Sequence, residues 1–119
     1  AMTAAANASP DNCVPVIEDF VRHQLMAGEP VEMQDALISR LVPQPIALFT
    51  TPITTRDFVK LNIPRSVVFC KDDASLPPGA YLDMAQGLGD YQLIEVPGSH
   101  ESLFTNPAVV AEGLIKALQ

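Results

Sequence analysis

Two polar side chains follow the two clearest strand-like runs in the sequence. Asp73 lies just past Ser66-Val67-Val68-Phe69-Cys70, and His100 lies just past Tyr91-Gln92-Leu93-Ile94-Glu95-Val96. Open parallel sheets bind their ligands outside the carboxyl ends of the strands. Parallel pairing of these two runs therefore brings Asp73 and His100 to one sheet edge. A carboxylate beside an imidazole accepts a hydrogen bond from it and fixes its tautomer. It also stabilises the imidazolium that forms when the ring takes a proton. Taken one at a time, the residues have plainer readings. Asp72-Asp73 suits a solvated turn or a helix cap, and His100 suits a loop histidine with a structural hydrogen bond. Their joint placement is what points to acid–base chemistry.

The elements that must position this pair are legible from periodicity and punctuation. Residues 1–12 are small and polar and read as a disordered tail, with Ala1-Met2 an expression remnant. Asp11-Asn12 and Pro15 suit the start of a helix over Val14–Met26, with Val16, Ile17, Phe20, Val21 and Met26 on its apolar face. Gly28 and Pro30 end it. A second helical pattern covers Val31–Val42, with Met33, Leu37, Ile38 and Leu41 on one side, and Pro43 and Pro45 stop it. The run from Ile46 to Pro52 is short and proline-bounded. Thr54–Val59 suits a brief helix capped by a threonine. Ser66–Cys70 is apolar on both faces, as a buried parallel strand is. Ala80–Leu88 is a helix pattern, Tyr91–Val96 a second strand, and Pro107–Leu118 a final helix with Asn106 as its cap. The second half thus alternates strand, helix, strand, helix. That order predicts an α/β arrangement of two parallel strands joined by a crossover helix. Two strands alone make a poor sheet, so further strands are expected from elsewhere.

Composition narrows the partners. The chain has 119 residues, 48% of them apolar, which suffices for one domain core. Its formal net charge of -7, and the absence of any basic run, argue against nucleic acid and against an anionic membrane surface. No apolar stretch is long enough to span a bilayer. No basic n-region opens the chain, so a cytoplasmic location is the expectation. Cys70 reads as a small buried hydrophobe and Cys13 as a structural or exposed thiol, with no disulfide expected between them. No Cys/His cluster has zinc-ligand spacing, so neither a metal nor another cofactor is expected. His23 reads as a surface residue.

The segment from Ile63 to Leu118 resembles the C-terminal end of the α/β-hydrolases. The likeness is greatest to the branch holding plant methyl-ester esterases, hydroxynitrile lyases and their bacterial relatives. It is carried by Cys70-Lys71-Asp72-Asp73-Ala74-Ser75-Leu76-Pro77, by Pro97-Gly98-Ser99-His100, and by Asn106-Pro107 opening the last helix. The order acid-then-histidine is also the one that family uses. Leu41-Val42-Pro43-Gln44-Pro45-Ile46-Ala47-Leu48-Phe49 looks like the end of the family's cap region. The resemblance implies a partial α/β-hydrolase fold, with a cap-like helical segment over 13–53 and the hydrolase segment over 54–119. It implies Asp73 as triad acid and His100 as general base. Asp72 is the alternative acid, but the offsets from Cys70 and to Leu76-Pro77 favour Asp73. Leu41, Val42, Leu103 and Phe104 would contribute pocket walls.

One departure from the family is plain. Its nucleophile sits in a Gly-x-Ser-x-Gly elbow, and none of Ser9, Ser39, Ser66, Ser75, Ser99 and Ser102 has that setting. The oxyanion-hole loop has no counterpart either. The implied function is therefore the C-terminal portion of a carboxylic-ester hydrolase, inactive alone. It would act on a small apolar ester once completed by an N-terminal half. A self-associating or partner-binding module derived from the fold is the alternative, as is lyase chemistry on the same triad frame.

Overall fold

The computed structural model describes residues 2–119, and Ala1 lies outside the described residues. Its organising feature is a parallel pair of strands, β3 (Ser66–Cys70) and β4 (Gln92–Val96). They run in the register Ser66 to Gln92 through Cys70 to Val96. The ladder extends past both ends. The amide of Gln92 donates to the Arg65 carbonyl at 2.9 Å, and that of Lys71 to the Val96 carbonyl at 2.9 Å. Between the strands the chain crosses over through helix α6 (Ala80–Ala85), which tightens into a single 3-10 turn at Gln86–Leu88. Val68, Ile94 and Val96 point to one face, where helix α8 (Pro107–Ala117) covers them. Gly113 allows that approach: a Cβ there would lie 2.8 Å from a methyl of Val68 and of Val96. On the opposite face Phe69 meets Tyr81 of α6, with ring centroids 6.5 Å apart.

Helix α5 (Arg56–Lys60) precedes β3. Its exposed C-terminal carbonyls are satisfied by Arg65, whose guanidinium donates to the carbonyls of Phe58, Val59 and Leu61 at 2.9, 3.2 and 2.7 Å. The same cation lies 5.0 Å from the centre of the Phe58 ring. A cation at a helix C-terminus is favourable both as a donor and against the helix dipole.

The N-terminal part departs from its periodicity in several places. The expected disordered tail is helical over Met2–Asn7 (α1), with Ala6 fully buried. Cys13–Val14 is not the start of a helix. It forms strand β1 and pairs antiparallel with Gln44–Pro45, strand β2. Helix α2 begins only at Glu18 and spans Glu18–Phe20, then widens into a π turn over Val21–Leu25. Helix α3 ends at Ile38, four residues short of the expected Val42. There the Ser39 hydroxyl turns back to the Ala36 carbonyl at 2.9 Å, a local bond that competes with helix continuation. Ala47–Thr50 makes one turn, α4. The small core of this part is Val21, Met26 and Leu37, with Leu25, Met33, Ile38, Leu41 and Phe104 packed around it. Buried Gln34 closes the π turn by donating to the carbonyls of Met26 and Arg22 at 3.1 and 3.2 Å. Both cysteines are free, and no helix among the described residues is long and apolar enough to cross a membrane.

The fold is open. Its radius of gyration is 16.3 Å, against about 13.5 Å for a compact domain of this length. Its accessible surface is 8301 Å², about a third more than the roughly 6,300 Å² of a monomer of this mass. Strand β3, expected to be covered on both faces, is only half-buried. Leu93, Ile53, Leu48 and Leu118 are exposed. Covering elements are what the pair lacks.

The packing at Gly113 yields a direct test. Gly113→Ala improves helix propensity, which alone favours the variant by up to about 1 kcal/mol. The new methyl must displace two β-branched side chains that have little rotamer freedom. The expected outcome is a net loss of about 1–2 kcal/mol in chemical denaturation. A gain in stability would show that α8 does not lie this close to the sheet.

Candidate active site

The turns that leave β3 and β4 lie side by side at the carboxyl edge of the sheet. Asp72 clamps them. Its amide donates to the Gly98 carbonyl at 3.1 Å, and its carboxylate accepts from the Gly98 amide at 2.8 Å. Gly98 has φ +119°, and a Cβ there would fall 2.1 Å from the Ser102 Oγ. Only glycine fits that turn. Ser102 is fully buried, and its hydroxyl donates to the Ser99 carbonyl at 2.8 Å, opening the one-turn helix α7 (Ser102–Thr105). Periodicity alone does not show this turn of helix.

This clamp sets His100 against Asp73. Nδ1 of His100 lies 2.8 Å from Oδ2 of Asp73. The other carboxylate oxygen, Oδ1, accepts from the Ser75 amide at 2.9 Å and from the Ser75 hydroxyl at 2.6 Å. The Ser75 Oγ in turn lies 2.7 Å from the Tyr81 hydroxyl. Because the single Ser75 proton goes to the carboxylate, Tyr81 donates to Ser75. Tyr81 also stacks on the imidazole, 6.1 Å between centroids with planes 25° apart.

The electrostatics follow from these contacts. Burial of Asp73 by itself pushes its carboxyl pKa up. The two Ser75 hydrogen bonds, and then His100, more than offset this and hold it below the ordinary value of 3.8. Asp73 is therefore ionised at neutral pH and accepts only. The proton between the two residues must sit on His100 Nδ1, which leaves the lone pair on Nε2. Among the described residues nothing hydrogen-bonds that Nε2. The Asp73 side chain is 9% exposed and that of His100 37%. The pair thus presents a basic nitrogen to the outside, backed by a sheltered charge. This is the arrangement a general base needs.

The other expected site residues divide. Asp72, the alternative acid, does not touch His100 and instead holds Gly98. Leu41 and Phe104 pack into the small helical core, while Val42 and Leu103 are exposed. A shallow surface groove beside the pair is bordered by Gln24, Asp72, Asp73, Ser75 and Leu76. Ser75 and Tyr81 had not been linked to the pair. Ser75 was findable in principle, because an Asp two residues before a Ser is the signature of a side chain bonding its own downstream amide. No group of side chains among the described residues has the makeup of a metal site.

The parallel pair, the crossover helix and the carboxyl-edge pair of turns make a partial α/β fold with Asp73 and His100 at one sheet edge. A solved structure described as an extracellular α/β-hydrolase from a Paenibacillus species superposes with a TM-score of 0.89. It covers 98% of this chain and 50% of the other, at 23% identity. Its description adds structural and functional homology to tobacco salicylic acid binding protein 2. In sequence, the chain is 32% identical over 93 residues to the α/β hydrolase nvfD of Aspergillus novofumigatus, covering 77% of this chain. No family model matches. The chain shares the α/β-hydrolase fold and spans about a third of the length of that curated relative (36%).

The Ser75 contacts carry a pH consequence. Asp73 has a depressed pKa in the fold, so its ionised form adds stability above about pH 3.8, and that contribution is lost as the pH falls through its lower folded value. Ser75→Ala removes the leading cause of the depression. The Asp73 carboxyl pKa is then expected to rise, with the acid limb of the stability curve moving to higher pH. Carboxyl carbon chemical shifts during titration measure it. An unchanged Asp73 pKa would refute the account.

Proposed function

We propose that this chain supplies the general base and the orienting acid of a serine-type hydrolase acting on a small carboxylic ester. The nucleophile and the oxyanion donors come from polypeptide outside this sequence. The observation that carries the reading is the His100–Asp73 contact at 2.8 Å with Nε2 left unbonded. In the proposed cycle His100 Nε2 takes the proton of a serine hydroxyl as the oxygen attacks the acyl carbon. Asp73 stabilises the imidazolium, which then protonates the departing alkoxide. Water repeats the sequence on the acyl-enzyme. A small apolar substrate suits the exposed apolar side chains near this edge. It also suits the homology to a salicylic acid binding protein stated for the Paenibacillus relative.

Co-expression with the nucleophile-bearing half of that relative tests the reading. Hydrolysis of p-nitrophenyl acetate is expected from the combination and not from this chain alone. His100→Ala should lower kcat by about a thousandfold or more. Asp73→Asn should come close to that loss, because it favours the wrong imidazole tautomer. Asp72→Asn, which keeps an acceptor for Gly98, should stay within about tenfold. Full activity in His100→Ala would end the assignment.

The surface supports a second reading, a self-associating module. With 8301 Å² accessible and several large apolar side chains in water, another copy of the chain is a suitable cover. Sedimentation over a range of concentrations decides it. This reading expects a dimer or larger species, and a monomer at high concentration argues against it.

A further inference from the structure

Glu29 lies 70 residues before the histidine loop in sequence and touches it directly. One carboxylate oxygen, Oε1, accepts from the Ser99 hydroxyl at 2.7 Å and from the Thr105 hydroxyl at 2.9 Å. Ser99 is the residue immediately before His100, and Thr105 closes α7 on its other side. Both donors converge on a single oxygen, so the carboxylate staples the two ends of the segment that contains the imidazole.

The geometry points to Glu29 as a positioning residue for His100. This deepens the reading of His100 as general base, and one part of its test does not depend on turnover. Three features support it. First, Glu29 is itself well placed. It sits in the turn between the π turn and α3, its amide donates to the Met26 carbonyl at 3.1 Å, Met26 is fully buried, and Gly28 takes the left-handed φ of +80° that the turn requires. Second, the Ser99 side chain has no alternative. Ser99 is 2% exposed, so its hydroxyl cannot turn to water if the carboxylate goes. Third, Asp72 anchors the entry to the same turn through Gly98. With Gly98 held by Asp72, and Ser99 and Thr105 held by Glu29, the His100 backbone is fixed before and after the imidazole. Phe104 of α7 adds a parallel link by packing on Met26, Val21 and Leu37. The site thus depends on a support from the helical N-terminal part, which contributes no side chain to the His100–Asp73 contact itself.

The test compares Glu29→Ala with Glu29→Gln in the full chain by NMR. In the unaltered protein the His100 nitrogens should report one tautomer, with the proton on Nδ1. Glu29→Ala should mix the tautomers. It should also speed amide exchange at Ser102, Phe104 and Thr105 by about tenfold or more, leaving α8 unchanged. Glu29→Gln keeps an acceptor oxygen and should restore most of both signals. If Glu29→Ala does not fold, the pair Ser99→Ala and Thr105→Val removes the same bonds from the other side, with the same expected readout. Unchanged tautomer and exchange in these variants overturn the proposal. In the co-expressed enzyme, Glu29→Ala should lower kcat about tenfold or more with KM within about twofold. Unchanged kcat alongside loosened NMR signals would also overturn it, by reducing Glu29 to a structural support. Absence of turnover in the unaltered enzyme would instead count against the general-base reading, while the NMR comparison still decides the role of Glu29.

Discussion

The candidate site depends on the register of one parallel strand pair. Ser66 faces Gln92 and Cys70 faces Val96, so the two strands end level and their turns leave together. A slip of one residue would displace one turn by about 3.3 Å and exchange the faces of every side chain in the strand. Val68 would then leave its place beside Gly113, and Asp73 would leave His100. Several independent contacts resist that slip. The close approach of α8 at Gly113 tolerates only side chains arranged as Val68 and Val96 are. The two bonds between Asp72 and Gly98 tie the turns to each other outside the ladder. The functional pair needs precision of a few tenths of an ångström, and these packing and main-chain constraints supply it before any side-chain chemistry begins.

Polarity at the site is graded in a consistent direction. The hydroxyl and amide of Ser75 converge on one oxygen of Asp73, the Tyr81 hydroxyl backs the Ser75 hydroxyl, and His100 takes the other oxygen. A sheltered carboxylate with no donors would tend to protonate. Supplied with these donors it remains an anion at neutral pH. The charge fixes the proton on Nδ1 and leaves the lone pair on Nε2. The most buried member holds the charge and the most exposed member offers the reactive lone pair. Tyr81 stacking on the ring limits its rotation about the axis that would break the Asp73 bond.

Local signals carried much of this fold, and their failures have a common cause. Ser66–Cys70 was read with its bounds intact, and Gln92–Val96 and Pro107–Ala117 each within a residue, because apolar runs and proline stops are local. Asp73 and His100 were legible for the same reason, as polar groups at strand ends. The misread pieces depend on partners distant in sequence. Cys13–Val14 is extended because Gln44–Pro45 lies beside it, a pairing that periodicity cannot register. The Met2–Asn7 helix gains from burying Ala6 against that same corner. Asn106, expected as a cap, and Thr55, the threonine that stands at the start of α5, make no side-chain cap bond, so the starts of α8 and α5 rest on Pro107 and on packing instead. Glu29 was invisible for the strongest form of this reason. A lone Glu between Gly28 and Pro30 has the composition of a solvated turn, and only the folded chain brings Ser99 and Thr105 to it.

The openness of the molecule and the order of its site are compatible because they arise in different places. Every contact that shapes the acid–histidine pair lies within the described chain: the clamp at Gly98, the Ser75 bonds, and the Glu29 staple. Much of the uncovered apolar surface lies elsewhere, at Leu93, Leu118, Leu48 and Ile53. Covering those surfaces changes the energetics of the whole fold through buried area, whereas the hydrogen bonds around Asp73 are already made within this chain. Preorganisation of this kind is what catalysis by electrostatic orientation requires. On the proposed reading, the unbonded Nε2 at the sheet edge is where a nucleophile approaches.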